Sequence, residues 1–270
     1  LCDFFQKRVL KGPSDEALRE FNRATKEWVS VTYQELGEKV KNWQRAFADL
    51  GLNKGDRVAM LLPNGVNAVC FDQAAMANSL VPVPLHAIDT PASSAFILQD
   101  SGASVLVTDK KSKWEKIQEA GFDLSAIKKV IITEELTEAT ELIQGVKEWL
   151  KGAPADIALP EQPKVDDLAC IVYTSGTTGK PKGVMLTHKN ITSNVRSTLA
   201  HVKPEIGDIF LSFLPLSHMF ERTAGYYLAL ATGSTIVFNR SLQYLAEDFK
   251  IAKPNVLISV PRVYERIYAK

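Results

Sequence analysis

One short stretch of the chain concentrates the side chains that could do chemistry. Residues 173–183 read Tyr-Thr-Ser-Gly-Thr-Thr-Gly-Lys-Pro-Lys-Gly, which places three glycines, four serine or threonine residues and two lysines close together. Glycine lets the backbone approach a phosphate without an intervening side chain, and consecutive amide groups can form an anion-binding nest. The stretch therefore predicts a loop that binds a polyphosphate. The alternative interpretation is a flexible surface turn rich in glycine and threonine.

The spacing of this stretch excludes two familiar phosphate-binding motifs. A P-loop requires the pattern G-x-x-x-x-G-K-[ST]. Counted from Gly176, its second glycine would fall on Pro181, and counted from Gly179 it would fall on Val184. The dinucleotide fingerprint G-x-G-x-x-G is absent as well. The loop therefore belongs to another class of phosphate-binding loop.

The elements around the loop predict an α/β fold. Buried strands are predicted from apolar runs at 57–62, 104–108, 129–133, 168–173, 209–213, 235–238 and 256–260. Helices are predicted between them; one begins at the capping-box pair Thr32 and Glu35 and ends at Gly51, and another begins at Thr90-Pro91 and ends near Ser101-Gly102. Apolar strands that alternate with helices are typical of mostly parallel sheets covered by helices on both faces. The loop is expected to follow the strand at 168–173 and to precede a helix over 187–200.

Composition and charge narrow the functional class. The 270 residues are 46% hydrophobic and 23% charged, which excludes a disordered chain, a collagen-like repeat and a disulfide scaffold. A net charge of +1 without a basic stripe argues against nucleic-acid binding. The three cysteines are far apart, and Cys70 and Cys170 stand in apolar runs, so we expect buried thiols in a reducing, cytoplasmic setting. We expect no signal peptide, because the first residues do not form a charged and then apolar leader. We expect no membrane-spanning helix, because the longest weakly charged stretch, 58–88, is interrupted by prolines.

The loop resembles the nucleotide-binding signature of the adenylate-forming enzymes, the superfamily of acyl-CoA synthetases, peptide-synthetase adenylation domains and firefly luciferase. Further resemblance lies in 55–59 with Pro63-Asn64, in 213–222 and in 260–264, so it extends over nearly the whole chain. The segments Leu-Pro-Leu-Ser-His-Met-Phe-Glu-Arg and Val-Pro-Arg-Val-Tyr-Glu-Arg are most similar to the long-chain fatty acid–CoA ligases.

This resemblance implies a two-step reaction that uses ATP, Mg²⁺ and coenzyme A. A fatty acid carboxylate attacks the α-phosphate of ATP, and the coenzyme A thiol then displaces AMP from the acyl-adenylate. The phosphate-binding set implied by the resemblance is Thr174, Ser175, Gly176, Thr177, Thr178, Gly179, Lys180 and Lys182. His218 is expected to line the site where the carboxylate meets the α-phosphate; the alternative interpretation is a core histidine that is satisfied by a backbone partner. Some relatives carry an aromatic gate of the acyl tunnel shortly after this histidine, where this sequence has Arg222.

The remaining histidines and the apolar residues after His218 are expected to have structural rather than functional roles. His86, His188 and His201 show no partner pattern and are expected at the surface or at helix caps. The apolar residues around Tyr226, Tyr227 and Leu230 are interpreted as core rather than as an acyl pocket.

The resemblance also predicts how the chain is divided. One lobe comprises 1–50 with 202–270, and a second lobe, 51–201, carries the phosphate loop. The small C-terminal domain of the family, with its catalytic lysine, and the residues that hold Mg²⁺ and ribose are expected outside the sequence. The 270 residues are therefore predicted to be an inactive N-terminal fragment.

Two alternatives remain open at this point. The chain could belong to a ligase for another carboxylic acid, whether short-chain, aryl or amino acid. It could also be a non-catalytic nucleotide-binding domain of the same fold. The sequence leaves peripheral contact with a membrane and the oligomeric state open.

Overall fold

The polypeptide forms alternating helices and strands, seen in a computed structural model that describes residues 1–175, 180–261, 263 and 265. In chain order the elements are α1 (Cys2–Lys11), β1 (Glu16–Asn22), β2 (Glu27–Thr32), α2 (Tyr33–Asp49), β3 (Arg57–Leu61), α3 (Val66–Ala77), β4 (Val81–Pro84), α4 (Pro91–Ser101), β5 (Val105–Thr108), α5 (Lys111–Gln118), β6 (Lys129–Ile132), β7 (Ile143–Gly145), α6 (Val146–Gly152), β8 (Leu168–Ser175), β9 (Pro181–Thr187), α7 (His188–His201), β10 (Ile209–Ser212), a π-helix (Glu221–Tyr227), α8 (Leu228–Thr232), β11 (Thr235–Phe238) and α9 (Leu245–Ala252). Strands and helices thus alternate along most of the chain, as the sequence predicts.

Two compact units divide the chain. The first unit comprises Leu1, Asp3–Leu36 and Thr192–Lys270, and the second comprises Cys2 and Gly37–Ile191. These boundaries fall earlier in the chain than those expected after residues 50 and 201. The lobe assignment of the intact protein stays a prediction.

The second unit is organised around a parallel sheet. Its described strands run in the order β4-β3-β5-β6-β7, and each neighbouring pair is parallel. The β4 and β5 side chains are buried along the whole strand, as expected for a sheet covered on both faces. Ile171 and Tyr173 of β8 belong to the same apolar core as Leu106 and Val130. The strand that leads into the phosphate loop is therefore packed on the parallel sheet.

The first unit contains a mixed sheet. Its described strands run in the order β10-β11-β1-β2, in which β11 pairs in parallel with both β10 and β1, and β1 pairs antiparallel with β2. The Tyr33 hydroxyl donates a hydrogen bond of 2.9 Å to the carbonyl oxygen of Ser234, which ties the start of α2 to the turn before β11. Mostly parallel sheets with helices confirm the predicted α/β class.

The local signals for helix ends are confirmed. The Thr32 hydroxyl accepts from the Glu35 amide at 3.2 Å, and the Glu35 carboxylate accepts from the Thr32 amide at 2.8 Å. Thr90 caps α4 by accepting from the Ser93 amide. Gly102, which follows α4, has a φ of 60°, a left-handed conformation that favours glycine.

The predicted strand at 256–260 is wrong. That segment forms one isolated bridge, between Val256 and Phe210, and its side chains are only partly buried. Two prolines, Pro254 and Pro261, flank it, and each lacks the amide that a ladder requires. The β1–β2 hairpin and the strand β9 were not predicted at all.

Among the described residues, none of the helices combines the length and the apolar character needed to cross a membrane.

Candidate active site

The phosphate loop is the tip of a β-hairpin. Strands β8 and β9 pair antiparallel, with Tyr173 opposite Gly183, Thr174 opposite Lys182 and Ser175 opposite Pro181. The loop between them contains the predicted residues Gly176, Thr177, Thr178 and Gly179, which lie outside the described residues. The helix expected over 187–200 is confirmed as α7, which begins at His188, but the strand β9, which was not predicted, lies between the loop and that helix. A strand, and not the N-terminus of a helix, therefore follows the loop directly.

Two of the predicted side chains share one face of the hairpin. Thr174 and Lys182 are cross-strand partners, and directly opposed residues of an antiparallel pair project to the same side. Both residues are exposed, as is Lys180 at the end of the loop. Ser175 is the last residue of β8. The hairpin thus brings the predicted residues Thr174, Ser175, Lys180 and Lys182 to one end of the molecule's second unit.

The other face of the hairpin packs inward. Tyr173 is 5% exposed, and its hydroxyl donates to the Asp100 carboxylate at 2.6 Å. Burial raises the pKa of Tyr173, and the Asp100 carboxylate raises it further, so the phenol stays protonated. A Cβ added at Gly183 would lie 2.9 Å from Ile171 Cγ2 and 3.1 Å from Tyr173 Cζ, closer than neighbouring side chains normally allow. Glycine at position 183 therefore lets the two strands approach under the tyrosine ring.

His218 lies in the first unit, between β10 and the π-helix. Its amide donates to the Pro215 carbonyl oxygen at 2.9 Å, and its own carbonyl oxygen accepts from the Arg222 amide. The residue is exposed, which excludes the interpretation of a core histidine. Its role at the acid-binding site stays a prediction.

Two adjacent residues with ionisable side chains follow His218 and are buried, which the sequence analysis did not predict. Glu221 and Arg222 begin the π-helix and have no exposed surface. Burial raises the pKa of Glu221 to about 7, and a side-chain interaction with Ser212 opposes part of that rise. A Cβ at Gly225 would stand 2.6 Å from the Glu221 carboxyl, so the glycine makes room for it. Two adjacent charges normally indicate a solvated surface, and nothing in the residue pattern marks a π-helix.

The same π-helix buries its tyrosines. The Arg222 guanidinium lies 5.4 Å from the centre of the Tyr227 ring, and its Nη1 donates to the Leu216 carbonyl oxygen at 3.4 Å. The rings of Tyr226 and Tyr227 are 4.6 Å apart. The interpretation of these tyrosines and Leu230 as core agrees with their burial. Arg222 is a fully buried residue of this unit.

His188 was expected at the surface or at a cap and is instead buried, at 3% exposure. It is the first residue of α7, and its amide donates to the Asp167 carbonyl oxygen at 3.0 Å. Burial lowers the pKa of His188 to about 4, so the imidazole is neutral at physiological pH. The hydroxyl of the preceding Thr187 accepts from the Asn190 amide, which supplies the cap.

Within the described part of the chain, no three or more histidine, cysteine, aspartate or glutamate side chains lie close enough together to hold a metal ion.

Comparison with known proteins identifies the family. The model of the AMP-binding enzymes matches residues 5–270, so this chain belongs to the AMP-binding enzyme family. The predicted resemblance to adenylate-forming enzymes is thereby confirmed.

Three relatives show how far the similarity extends. The chain is 34% identical over 267 residues to fatty acyl-CoA synthetase A of Dictyostelium discoideum, covering 94% of this chain and 39% of that protein. It is 29% identical to the long-chain-fatty-acid–CoA ligase FadD15 of Mycobacterium tuberculosis, covering 89% of this chain and 40% of the ligase. The crystal structure of the N-terminal domain of FACL13 from Mycobacterium tuberculosis, with a bound inhibitor, superposes with a TM-score of 0.80 at 25% identity. That match covers 95% of this chain and 61% of the other. The chain thus spans about two fifths of the length of the curated relatives it matches.

Proposed function

We propose that the chain is the N-terminal part of a longer ligase that activates a long-chain fatty acid with ATP and transfers it to coenzyme A. The observation that carries this proposal is the glycine-rich hairpin tip, flanked by the exposed Thr174 and Lys182, in a chain of the AMP-binding family. The fatty-acid substrate is supported by the names of the relatives.

The proposed reaction has two steps. A carboxylate oxygen of the acid attacks the α-phosphorus of ATP, forming the acyl-adenylate and releasing pyrophosphate. The coenzyme A thiolate then attacks the acyl carbon and AMP leaves, which gives the thioester. The first step needs no protein nucleophile, because positioning and charge stabilisation supply most of the catalysis in transfers of this type.

The hairpin residues have one role in this scheme. The loop amides with Thr174, Ser175, Thr177 and Thr178 hold the β- and γ-phosphates, and Lys180 or Lys182 offsets the negative charge of these phosphates both in bound ATP and as pyrophosphate leaves. His218 is proposed to line the position of the acid carboxylate.

The proposed setting follows from the cysteines and the substrate. Cys2, Cys70 and Cys170 are buried free thiols, which suits a reducing cytoplasm. Because a long-chain acid partitions into lipid, we also propose that the protein contacts a membrane surface.

ATP–pyrophosphate exchange tests the proposed function. The full-length protein is assayed with palmitate, octanoate, acetate or benzoate, and the 270-residue chain is assayed beside it. We expect exchange with palmitate from the full-length protein and none from the short chain. Exchange driven by another of the acids would instead identify a different ligase, and no exchange with any acid would favour a non-catalytic nucleotide-binding domain. Turnover by the short chain at the full rate would contradict the fragment proposal.

Loss of the Lys182 charge is expected to weaken ATP binding. Because Lys182 shares the exposed face of the hairpin with Thr174, we expect Lys182→Ala to raise the Kd for ATP about tenfold, the effect of one charge-assisted contact. Calorimetric titration of the full-length protein measures the change. Lys189→Ala is the matched control, because that side chain is 68% exposed and pairs with Asp166 at 3.9 Å, away from the loop. Equal effects of the two variants would contradict a direct role for Lys182.

A further inference from the structure

The hydrogen bond between Tyr173 and Asp100 joins the phosphate hairpin to helix α4. Tyr173 lies two positions before the end of β8, and Asp100 is the second-last residue of α4. The 2.6 Å bond runs from a neutral phenol to a carboxylate, a charge-assisted arrangement that is stronger than a bond between neutral groups.

The carboxylate end of this bond is itself held in place. The C-terminus of α4 is fixed to the parallel sheet by Arg57 of β3, whose Nε donates to the Ser101 carbonyl oxygen at 2.7 Å and whose Nη2 donates to that of Gly102 at 3.3 Å. Asp100 therefore lies on the last turn of a helix whose C-terminal end is hydrogen-bonded to strand β3 of the parallel sheet. A side chain that is hydrogen-bonded to Asp100 is thereby held in a fixed position as well.

The ring of Tyr173 also contacts the second strand of the hairpin. Tyr173 is the register partner of Gly183, and the missing side chain at 183 leaves room for the ring. One buried aromatic side chain thus touches β9 directly and is bonded to α4 through its hydroxyl.

The two strands of the hairpin differ in burial, because β8 is buried from Ala169 to Tyr173. A two-stranded sheet is marginally stable by itself. Strand β9 is exposed along most of its length, with Val184 at 44% and Met185 at 65% exposure. Its position therefore depends on the inward face of β8, where Tyr173 lies next to the loop.

We propose that Tyr173 is a positioning residue for the polyphosphate loop, acting through its bond to Asp100 and its contact over Gly183. This inference rests on the proposed function. In this scheme Tyr173 does not contact the nucleotide. It fixes the position of the hairpin and therefore the positions from which Thr174 and Lys182 reach the phosphates. Because the loop holds the same phosphates in the ground state and in the transition state, loosening it weakens binding more than it slows chemistry.

Tyr173→Phe in the full-length protein tests this role, because it keeps the ring and removes only the hydroxyl. We expect the KM for ATP to rise about fivefold, the effect of one hydrogen bond, while kcat and the KM for the acid change less than about twofold. Asp100 is exposed, so its carboxylate stays hydrated when the phenol is absent. Asp100→Ala should reproduce the change, Asp100→Asn should restore most of the ATP affinity because its amide oxygen still accepts, and the double variant should be no worse than either single one.

Tyr33→Phe is the matched control. It also removes a buried tyrosine hydroxyl bond, to the Ser234 carbonyl oxygen at 2.9 Å, but in the first unit of the chain. We expect it to lower the stability without a selective change in the KM for ATP. An equal rise in that KM for Tyr33→Phe would overturn the proposal, because any loss of a buried bond would then suffice.

Hydrogen exchange of the same variants gives a readout that does not need activity. Amides of β9 should exchange faster in Tyr173→Phe and Asp100→Ala, while those of β3 and β5 keep their rates. Unchanged exchange in β9 would overturn the anchoring, and faster exchange with an unchanged KM for ATP would reduce Tyr173 to a structural role. If the wild type shows no pyrophosphate exchange with any acid, the proposed function fails separately, and the β9 exchange rates alone decide whether the anchor exists.

Discussion

Replacement of Arg240 by alanine is expected to destabilise the first unit by about 3 kcal/mol, the cost of leaving a buried carboxylate without its partner. Asp248 has no exposed surface, and it accepts from Arg240 Nε at 2.7 Å and from the Arg240 amide at 2.8 Å. The guanidinium also lies 4.4 Å from the centre of the Tyr244 ring. Urea denaturation of the variant measures the loss as a lower midpoint.

A second substitution separates the buried charge from the lost packing. In Arg240→Ala with Asp248→Asn, no charge remains buried, while the amide oxygen still accepts from the backbone at position 240, so part of the stability should return. Lys54→Ala is the surface control, since Lys54 pairs with Asp167 at 2.6 Å with 54% of its side chain exposed, and it should change the midpoint far less. A double variant less stable than Arg240→Ala would contradict the explanation by uncompensated charge.

Glu221→Gln is expected to remove a pH dependence from the stability of the protein. The pKa of Glu221 is about 7 in the folded chain and near 4.5 in the unfolded one, so the folded state binds more protons between these values. The stabilisation is complete below about pH 4.5, falls as the pH rises through 7 and is absent above it. One pKa unit corresponds to about 1.4 kcal/mol, so the wild type should lose about 3 kcal/mol relative to Glu221→Gln between pH 4.5 and pH 8.

The quantity to measure is the difference in unfolding free energy between the wild type and Glu221→Gln. Unfolding free energies are determined at matched pH values, so that titration of the other groups cancels. Glu27→Gln, at an exposed position at the start of β2, is the control for removal of a surface carboxylate. A constant offset between wild type and Glu221→Gln across the range would show that the carboxyl is not held neutral by burial.

Sequence reasoning succeeded where the signal is local. The capping pair Thr32 and Glu35, the Thr90 cap and the left-handed Gly102 each depend on side chains within a few positions of one another, so the sequence contains the whole interaction. Apolar runs likewise predicted the buried parallel strands β3, β5 and β6, because strands buried on both faces carry few polar residues.

It failed where a partner distant in sequence decides the conformation. Strand β9 has only a short apolar run, Val184-Met185-Leu186, which did not mark it as a strand, and its antiparallel pairing with β8 defines it. The opposite error occurred at 256–260. An apolar run predicted a strand there, but the segment forms one bridge, to Phe210, instead of a ladder. His188 and Glu221 carry polar side chains that normally face water, and their burial depends on what other elements place around them.

The sequence by itself determined the α/β class, the glycine-rich loop and the family, because periodicity and a long specific motif survive without knowledge of contacts. Only the tertiary structure decided that this loop is the tip of a hairpin, that Thr174 and Lys182 share its exposed face, and that Tyr173 bonds to Asp100 across 73 positions of the chain. The physical reason is that register, burial and hydrogen bonding between distant segments depend on how the elements pack. Residue types along the chain specify which groups are present, and packing specifies which of them meet.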